Sequence, residues 1–103
     1  MQKNKIVFLI RAYNEATRIM SVIDGIIAAG YTQILVVDDG STDGTQALLR
    51  DLIQEGSIHF VHHITNRGAG AALETGLEYI RQNIPENGWE YLVTFDADGQ
   101  HDV

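Results

Sequence analysis

Apolar residues in this chain alternate between short continuous runs and longer stretches at helical spacing. Residues 5–10 (Lys-Ile-Val-Phe-Leu-Ile) carry a continuous apolar run, too short for a helix and bounded by polar residues. Such a run suits a strand buried on both faces of a parallel sheet. Residues 12–15 then read as a loop, with Asn14 as the predicted N-cap of a helix and Glu15 in its first turn. Ile19, Val22, Ile23, Ile26 and Ile27 recur at helical spacing through Ala29, and Gly30 ends that helix.

The same unit repeats. Residues 33–37 are a second buried strand, and residues 38–44 form a polar loop in which Ser41 or Thr42 caps the next helix. Ala47, Leu48, Leu49, Leu52 and Ile53 line that helix, and Gly56 closes it. Residues 58–63 are a third strand, nearer an edge because histidines interrupt its apolar positions. A glycine-bearing loop, residues 66–70, leads to a helix whose face of Ala71, Ala72, Leu73, Gly76, Leu77 and Ile80 is smooth enough to lie close to a sheet. Residues 85–88 (Pro-Glu-Asn-Gly) read as a turn, and residues 89–95 as a fourth strand with Asp96 directly after it.

Strands alternating with helices predict an α/β fold. The expected form is a three-layer, Rossmann-like open parallel sheet of four strands in the order 3-2-1-4, with right-handed crossovers and helices on both faces. The polar loops follow strands, and in such a sheet the carboxyl ends of the strands form the ligand crevice. Residues 13–15, 38–43 and 96–101 are therefore expected to converge on one edge.

Composition narrows the classes. A length of 103 residues fits one domain with one modest core. There is no cysteine, which removes disulfides, thiolate metal sites and a cysteine nucleophile. Fourteen acidic against seven basic side chains give a net charge of -7, contrary to the basic patch that nucleic acid requires. No apolar run approaches the about 18 residues of a membrane span, and the first run is too short for a signal peptide.

Three constellations carry candidate chemistry. Asp96-Ala97-Asp98 puts two carboxylates within reach of one hard cation, Mg²⁺ or Mn²⁺, with the amide oxygen of Gln100 as a further ligand. Taken alone, Asp-Ala-Asp-Gly reads better as a turn, since D-x-D is common by chance. Adjacent Asp38 and Asp39 repel each other unless donors or a cation are near, and a ribose or pyrimidine N–H would supply donors. Asx-turn and capping chemistry explains residues 38–43 as well. Residues 66–70 (Asn-Arg-Gly-Ala-Gly) offer an arginine and backbone N–H groups at a helix start, which favours an anion. They lack the third glycine of a dinucleotide fingerprint, since Leu73 stands there. His59, His62 and His63 read as strand-edge residues, and Trp89 and Tyr91 as packing residues.

In combination these segments are more specific. Residues 10–15 (Ile-Arg-Ala-Tyr-Asn-Glu), 36–43 (Val-Val-Asp-Asp-Gly-Ser-Thr-Asp), 66–72 (Asn-Arg-Gly-Ala-Gly-Ala-Ala) and 95–101 (Phe-Asp-Ala-Asp-Gly-Gln-His) resemble the amino-terminal half of a glycosyltransferase family 2 enzyme with the GT-A fold. The last two are most similar to the branch that transfers sugar to a polyprenyl phosphate, the dolichyl-phosphate mannose synthases and their bacterial relatives. The resemblance implies that Ala12, Tyr13 and Glu15 lie beside the nucleotide of a UDP- or GDP-sugar. Asp39, with Asp38 beside it, meets the base, and Arg67, Gly68 and Gly70 line its base or ribose edge. Asp96 approaches the ribose and the metal, Ala97 and Asp98 belong with it to the nucleotide-sugar site, and Asp96, Asp98 and Gln100 hold Mg²⁺ or Mn²⁺. Relatives mostly carry proline where this chain has Arg11, and often lysine where it has Ala69.

The implied reaction is inverting sugar transfer, with polyprenyl phosphate among the acceptors and a cytoplasmic location, at the inner face of the membrane in the full-length protein. On this reading residues 1–103 are the donor-binding half, ending after the D-x-D motif. The acceptor site and general base lie in later sequence, so the chain alone binds nucleotide weakly without turnover. Its uncovered sheet edge and helix faces favour self-association. Two other readings remain at this point. A haloacid-dehalogenase-like phosphotransferase would use Asp96 as nucleophile, and a receiver-like signalling module would use the acidic pair without catalysis.

Overall fold

The computed structural model of the chain describes residues 2–96. A 3-10 turn at Lys3–Lys5 leads into β1 (Ile6–Ala12), followed by α1 (Ala16–Ala28), β2 (Gln33–Asp38), α2 (Thr45–Leu48), α3 (Arg50–Gln54), β3 (His59–His62), α4 (Ala69–Asn87) and β4 (Tyr91–Asp96). The four strands form one sheet in the order β3-β2-β1-β4, with every pairing parallel. This is the predicted α/β order.

Side-chain alternation builds the two outer layers. Ile6, Phe8, Ile10 and Ala12 of β1 join Ile34 and Val36 of β2 on one face, where Ile19, Ile23 and Ile26 of α1 and Leu49 pack on them. Val7 and Leu9 join Leu35 and Val37 on the other face, against Ala72 and Ile80 of α4 and Trp89. Both faces of β1 and β2 are thus buried, which explains their unbroken apolar runs. The approach of α4 is close because Gly76 sits over Leu9: a Cβ there would lie 2.5 Å from Leu9 Cδ1.

Several local expectations are corrected. The helix expected over residues 47–53 is two short helices joined at Leu49, whose side chain is fully buried while Leu48 points outward. The buried stripe of α4 is narrower than its composition implied. Ala72, Gly76 and Ile80 are buried at four-residue spacing, whereas Leu73 and Leu77 are about two-fifths exposed.

The turn expected at residues 85–88 is the last turn of α4, which runs through Pro85 to Gly88. Asn83 Nδ2 donates to the Tyr79 carbonyl at 2.7 Å and Asn87 Nδ2 to the Asn83 carbonyl at 2.8 Å, so side chains supply donors around the proline. Only Gly88, at φ 68°, reverses the chain. Trp89 packs as expected and donates from Nε1 to Gln33 Oε1 at 3.0 Å. Tyr91 does not pack; it is half exposed on β4, at the sheet edge.

His59 lies between Tyr79 and Trp89, with Nδ1 2.7 Å from the Tyr79 hydroxyl and its ring edge-on to the indole. Burial pushes its pKa below the ordinary 6.5. The folded state therefore resists a proton that the unfolded chain accepts. Its contribution is present above about pH 6.5 and is lost as pH falls through the lowered folded value. Urea unfolding at stepped pH should show stability declining below neutrality, and His59→Phe should flatten that part of the slope. An unchanged slope in the variant would assign the decline elsewhere.

Candidate functional site

The strand register brings the starts of the predicted loops together. Ala12 pairs with Asp38, Asp38 with His62, and Arg11 with Asp96, so the carboxyl ends of all four strands align at one edge. β1 also stands where the strand order reverses, with β2 on one side and β4 on the other, the position of a ligand crevice in an open α/β sheet. Asp96 is placed there by its backbone. Ala97, Asp98 and Gln100 lie outside the described residues, and with them most of the predicted metal motif. Among the described residues no group of three or more acidic or histidine side chains could hold a metal.

The first loop is stitched to the second. Asn14, at φ 52°, is the non-glycine residue with left-handed backbone among those described. Its N–H donates to Ser41 Oγ at 2.9 Å, and its Oδ1 accepts the Thr42 N–H at 2.8 Å. It is therefore not the N-cap of α1; Glu15 occupies that position, without a side-chain cap bond. The first N–H of α1, on Ala16, instead donates to Asp43 Oδ2 at 3.0 Å.

Asp43 also accepts from the Thr45 N–H and hydroxyl, so it caps α2 in place of Ser41 or Thr42. Gly44, at φ 87°, turns the chain so that the helix starts beyond the reach of those hydroxyls. The bonds from Thr45 and then Ala16 hold the Asp43 carboxyl below its ordinary value. Tyr13, 38% exposed, lies beside the Arg11 guanidinium, whose Cζ is 5.9 Å from the ring centre.

The acidic pair divides in two. Asp38 Oδ1 accepts the Ser41 N–H at 3.1 Å as an Asx turn, while among the described residues Oδ2 has no partner. Asp39 is fully buried and turns inward, where four donors meet its carboxylate. Oδ1 accepts from the Arg67 N–H at 2.9 Å and lies 2.8 Å from His63 Nδ1. Oδ2 accepts from the Gly68 N–H at 3.0 Å and from Arg11 Nη2 at 3.1 Å. Burial pushes this carboxyl up, but the Arg67 N–H, His63, Arg11 and the Gly68 N–H outweigh it and hold the pKa below 3.8. The repulsion expected between Asp38 and Asp39 is thus relieved inside the protein on the Asp39 side.

The third loop is held by that carboxylate. Gly68, at φ 95°, precedes α4, and Gly40, at φ 79°, lies against the backbone of Thr65 and Asn66. The Arg67 side chain is exposed. Gly70 is helical and a Cβ on it would meet no described atom, so neither backbone conformation nor packing asks for glycine there. Ala12 is buried, its carbonyl accepting the Asp39 N–H at 2.8 Å, and Glu15 is half-buried.

Sequence reasoning missed Arg11 as an ion-pair partner, Asn14 and Asp43 as loop ties, and His63. That histidine is not a strand-edge residue; its side chain is buried, because β3 ends at His62 and the next side chain turns inward. A histidine just past a strand, facing an acidic pair just past its neighbour, is the signal that was available.

The profile of glycosyl transferase family 2 matches residues 7–103. The chain is 35% identical over 112 aligned positions to a UDP-N-acetylglucosamine–dolichyl-phosphate N-acetylglucosaminyltransferase of Methanococcus voltae, covering 95% of this chain and 43% of that protein. It is 35% identical to a polyprenol monophosphomannose synthase of Mycolicibacterium smegmatis, covering 90% of this chain and 35% of the relative. It therefore spans less than half the length of either. The fold matches the crystal structure of Staphylococcus aureus TarS in complex with UDP at a TM-score of 0.71 and 20% identity, over 91% of this chain and 27% of TarS.

Proposed function

Since the chain belongs to glycosyl transferase family 2, we propose that it supplies the donor-nucleotide side of a glycosyltransferase that uses a UDP- or GDP-sugar. The observation that carries this reading is the fusion of three strand-end loops into one edge, with Asp38 Oδ2, which has no partner among the described residues, the exposed Tyr13, the exposed Arg67 and the bare backbone of Gly70 all on it. A free carboxylate oxygen accepts a base or ribose donor. Backbone N–H groups at the start of α4, which has no side-chain cap, favour a phosphate.

The donor set of Asp96, Asp98 and Gln100 is all oxygen, which fits Mg²⁺ or Mn²⁺. A divalent ion there would offset the charge that develops on a departing nucleoside diphosphate. In the proposed reaction the anomeric C–O bond to the diphosphate breaks as an acceptor oxygen bonds the opposite face of that carbon. The polyprenyl-phosphate relatives support a lipid-phosphate acceptor and action at a membrane surface. Among the described residues no helix is long and apolar enough to cross a membrane.

Calorimetric titration of UDP and of GDP, each with and without Mn²⁺, tests this. One nucleotide should bind, more tightly with metal. Asp98→Ala should remove most of the metal-dependent gain, about tenfold or more in affinity, with the thermal midpoint unchanged. Binding of neither nucleotide would overturn the donor-site reading, and retained Mn²⁺ dependence in the variant would overturn the metal assignment alone.

A further inference from the structure

We infer that His63 is a positioning residue for the nucleotide edge: it acts through Asp39 on the third loop, with Thr75 of α4 as its anchor. The inference rests on the donor-site reading for its functional consequence, but its geometry is independent of it. The His63 side chain is 6% exposed, and each ring nitrogen has one partner. Nδ1 lies 2.8 Å from Asp39 Oδ1, and Nε2 lies 2.8 Å from Thr75 Oγ1. A carboxylate only accepts, so Nδ1 is the donor to Asp39; in the neutral ring Nε2 accepts the Thr75 hydroxyl proton.

Residue 63 also grips the second loop by its backbone, its N–H donating to the Asp38 carbonyl at 2.8 Å. The ring is therefore fixed on three sides: by β2 through the main chain, by α4 through Thr75, and by the carboxylate it supports. That carboxylate in turn accepts two consecutive N–H groups, on Arg67 and Gly68, at the start of the third loop. Of its four donors, two belong to the loop being held and Arg11 comes from a side chain that is partly exposed. His63 is the buried donor that does not belong to the loop. Without it Oδ1 has only the Arg67 N–H, and the carboxylate is free to swing about its Cβ–Cγ bond. The Arg67 and Gly68 N–H groups then lose a fixed target, and the exposed Arg67 side chain and the start of α4 lose their placement on the edge.

Two amide substitutions separate the ring's two bonds. In His63→Asn the side-chain nitrogen falls where Nδ1 stood and keeps the bond to Asp39. In His63→Gln it falls where Nε2 stood, keeps Thr75 and abandons Asp39. Tyr79→Phe, which removes an α4 hydroxyl bonded to His59 of β3 and not to His63, serves as a control for general loss of stability. Amide hydrogen exchange at Arg67 and Gly68 in the nucleotide-free protein is read alongside UDP and GDP affinity.

His63→Gln should speed exchange at both amides about tenfold and weaken nucleotide binding by a similar factor. His63→Asn should restore both to near the native values, and Tyr79→Phe should leave both unchanged. Unchanged exchange in His63→Gln, or a His63→Asn variant as impaired as the glutamine one, would overturn the role. Should the native protein bind neither nucleotide while the exchange contrast persists, the donor-site reading fails and the positioning of the loop by His63 stands.

Discussion

Replacing Asp39 with alanine should destabilise the protein by about 3–5 kcal/mol, the cost of removing one partner from a buried charged cluster. The carboxylate is fully buried and bonded to four donors drawn from β1, from the residue after β3 and from the third loop. Its loss strands the Arg67 and Gly68 N–H groups and leaves Arg11, whose Nε already has no partner among the described residues, facing a void. At about 4–8 °C per kcal/mol for a domain of this size the midpoint should drop by well over ten degrees.

The pH dependence gives an independent reading. Because donors hold the folded pKa of Asp39 below 3.8, its contribution is present above that value and lost as pH falls through the lowered one. Acid unfolding of the native protein should therefore steepen below about pH 4, and Asp39→Ala should lack that step. Differential scanning calorimetry across pH 3–7 decides it. A variant with native stability and a native acid limb would mean that the four bonds carry no net weight.

This expectation reverses the emphasis that the sequence places on the acidic pair. From sequence, Asp38 and Asp39 are equivalent, and resemblance assigns the base to Asp39. Their difference is one of strand geometry. β2 ends at Asp38, and the next residue turns under the first loop, where Arg11 and His63 are waiting. No single-chain pattern displays this, because Arg11, Asp39 and His63 are separated by more than twenty residues each and meet only when three parallel strands end in register. The same reason hid Asn14. Its composition fits an N-cap, but its partners Ser41 and Thr42 belong to another loop. Arg11, flagged only as a departure from the family's proline, turns out to be the partly exposed half of the ion pair that neutralises Asp39.

The strands were legible because burial on both faces leaves a mark that needs no partner to be read. Residues 6–10 and 34–37 are buried on both faces, and their runs contain no polar position. The edge place of β3 was legible in the histidines that interrupt its apolar run, while the full order was expected from the Rossmann-like architecture as a whole. Helix detail was less legible, since a helix needs only one apolar stripe. Leu73, Leu77 and Leu48 fit the spacing but lie outside the stripe that the sheet can reach. Of the D-x-D segment, the strand end was legible: β4 closes at Asp96, whose backbone the structure describes, and the rest of the segment lies outside the described residues.

Gly40→Ala is expected to be nearly as damaging as the loss of Asp39, and it probes the same junction from the backbone side. Gly40 sits at φ 79°, which costs a non-glycine residue about 1–2 kcal/mol on its own. A Cβ at this position would lie 2.4 Å from both Asn66 N and Thr65 C, and 2.8 Å from the Thr65 carbonyl oxygen. These are main-chain atoms of the third loop, so no side-chain rotation relieves the contact; the loops must separate. Separation pulls Arg67 and Gly68 away from Asp39, adding lost hydrogen bonds to the steric term. The sum should be about 3–5 kcal/mol. At Gly44, which also has positive φ, a Cβ meets nothing within 4 Å, so Gly44→Ala should cost only the conformational part, about 1–2 kcal/mol. Urea denaturation of the two alanine variants therefore separates strain from collision. Equal losses would mean that the second and third loops are not locked by backbone contact at Gly40, and a larger loss at Gly40, with faster amide exchange at Arg67, would mean that they are.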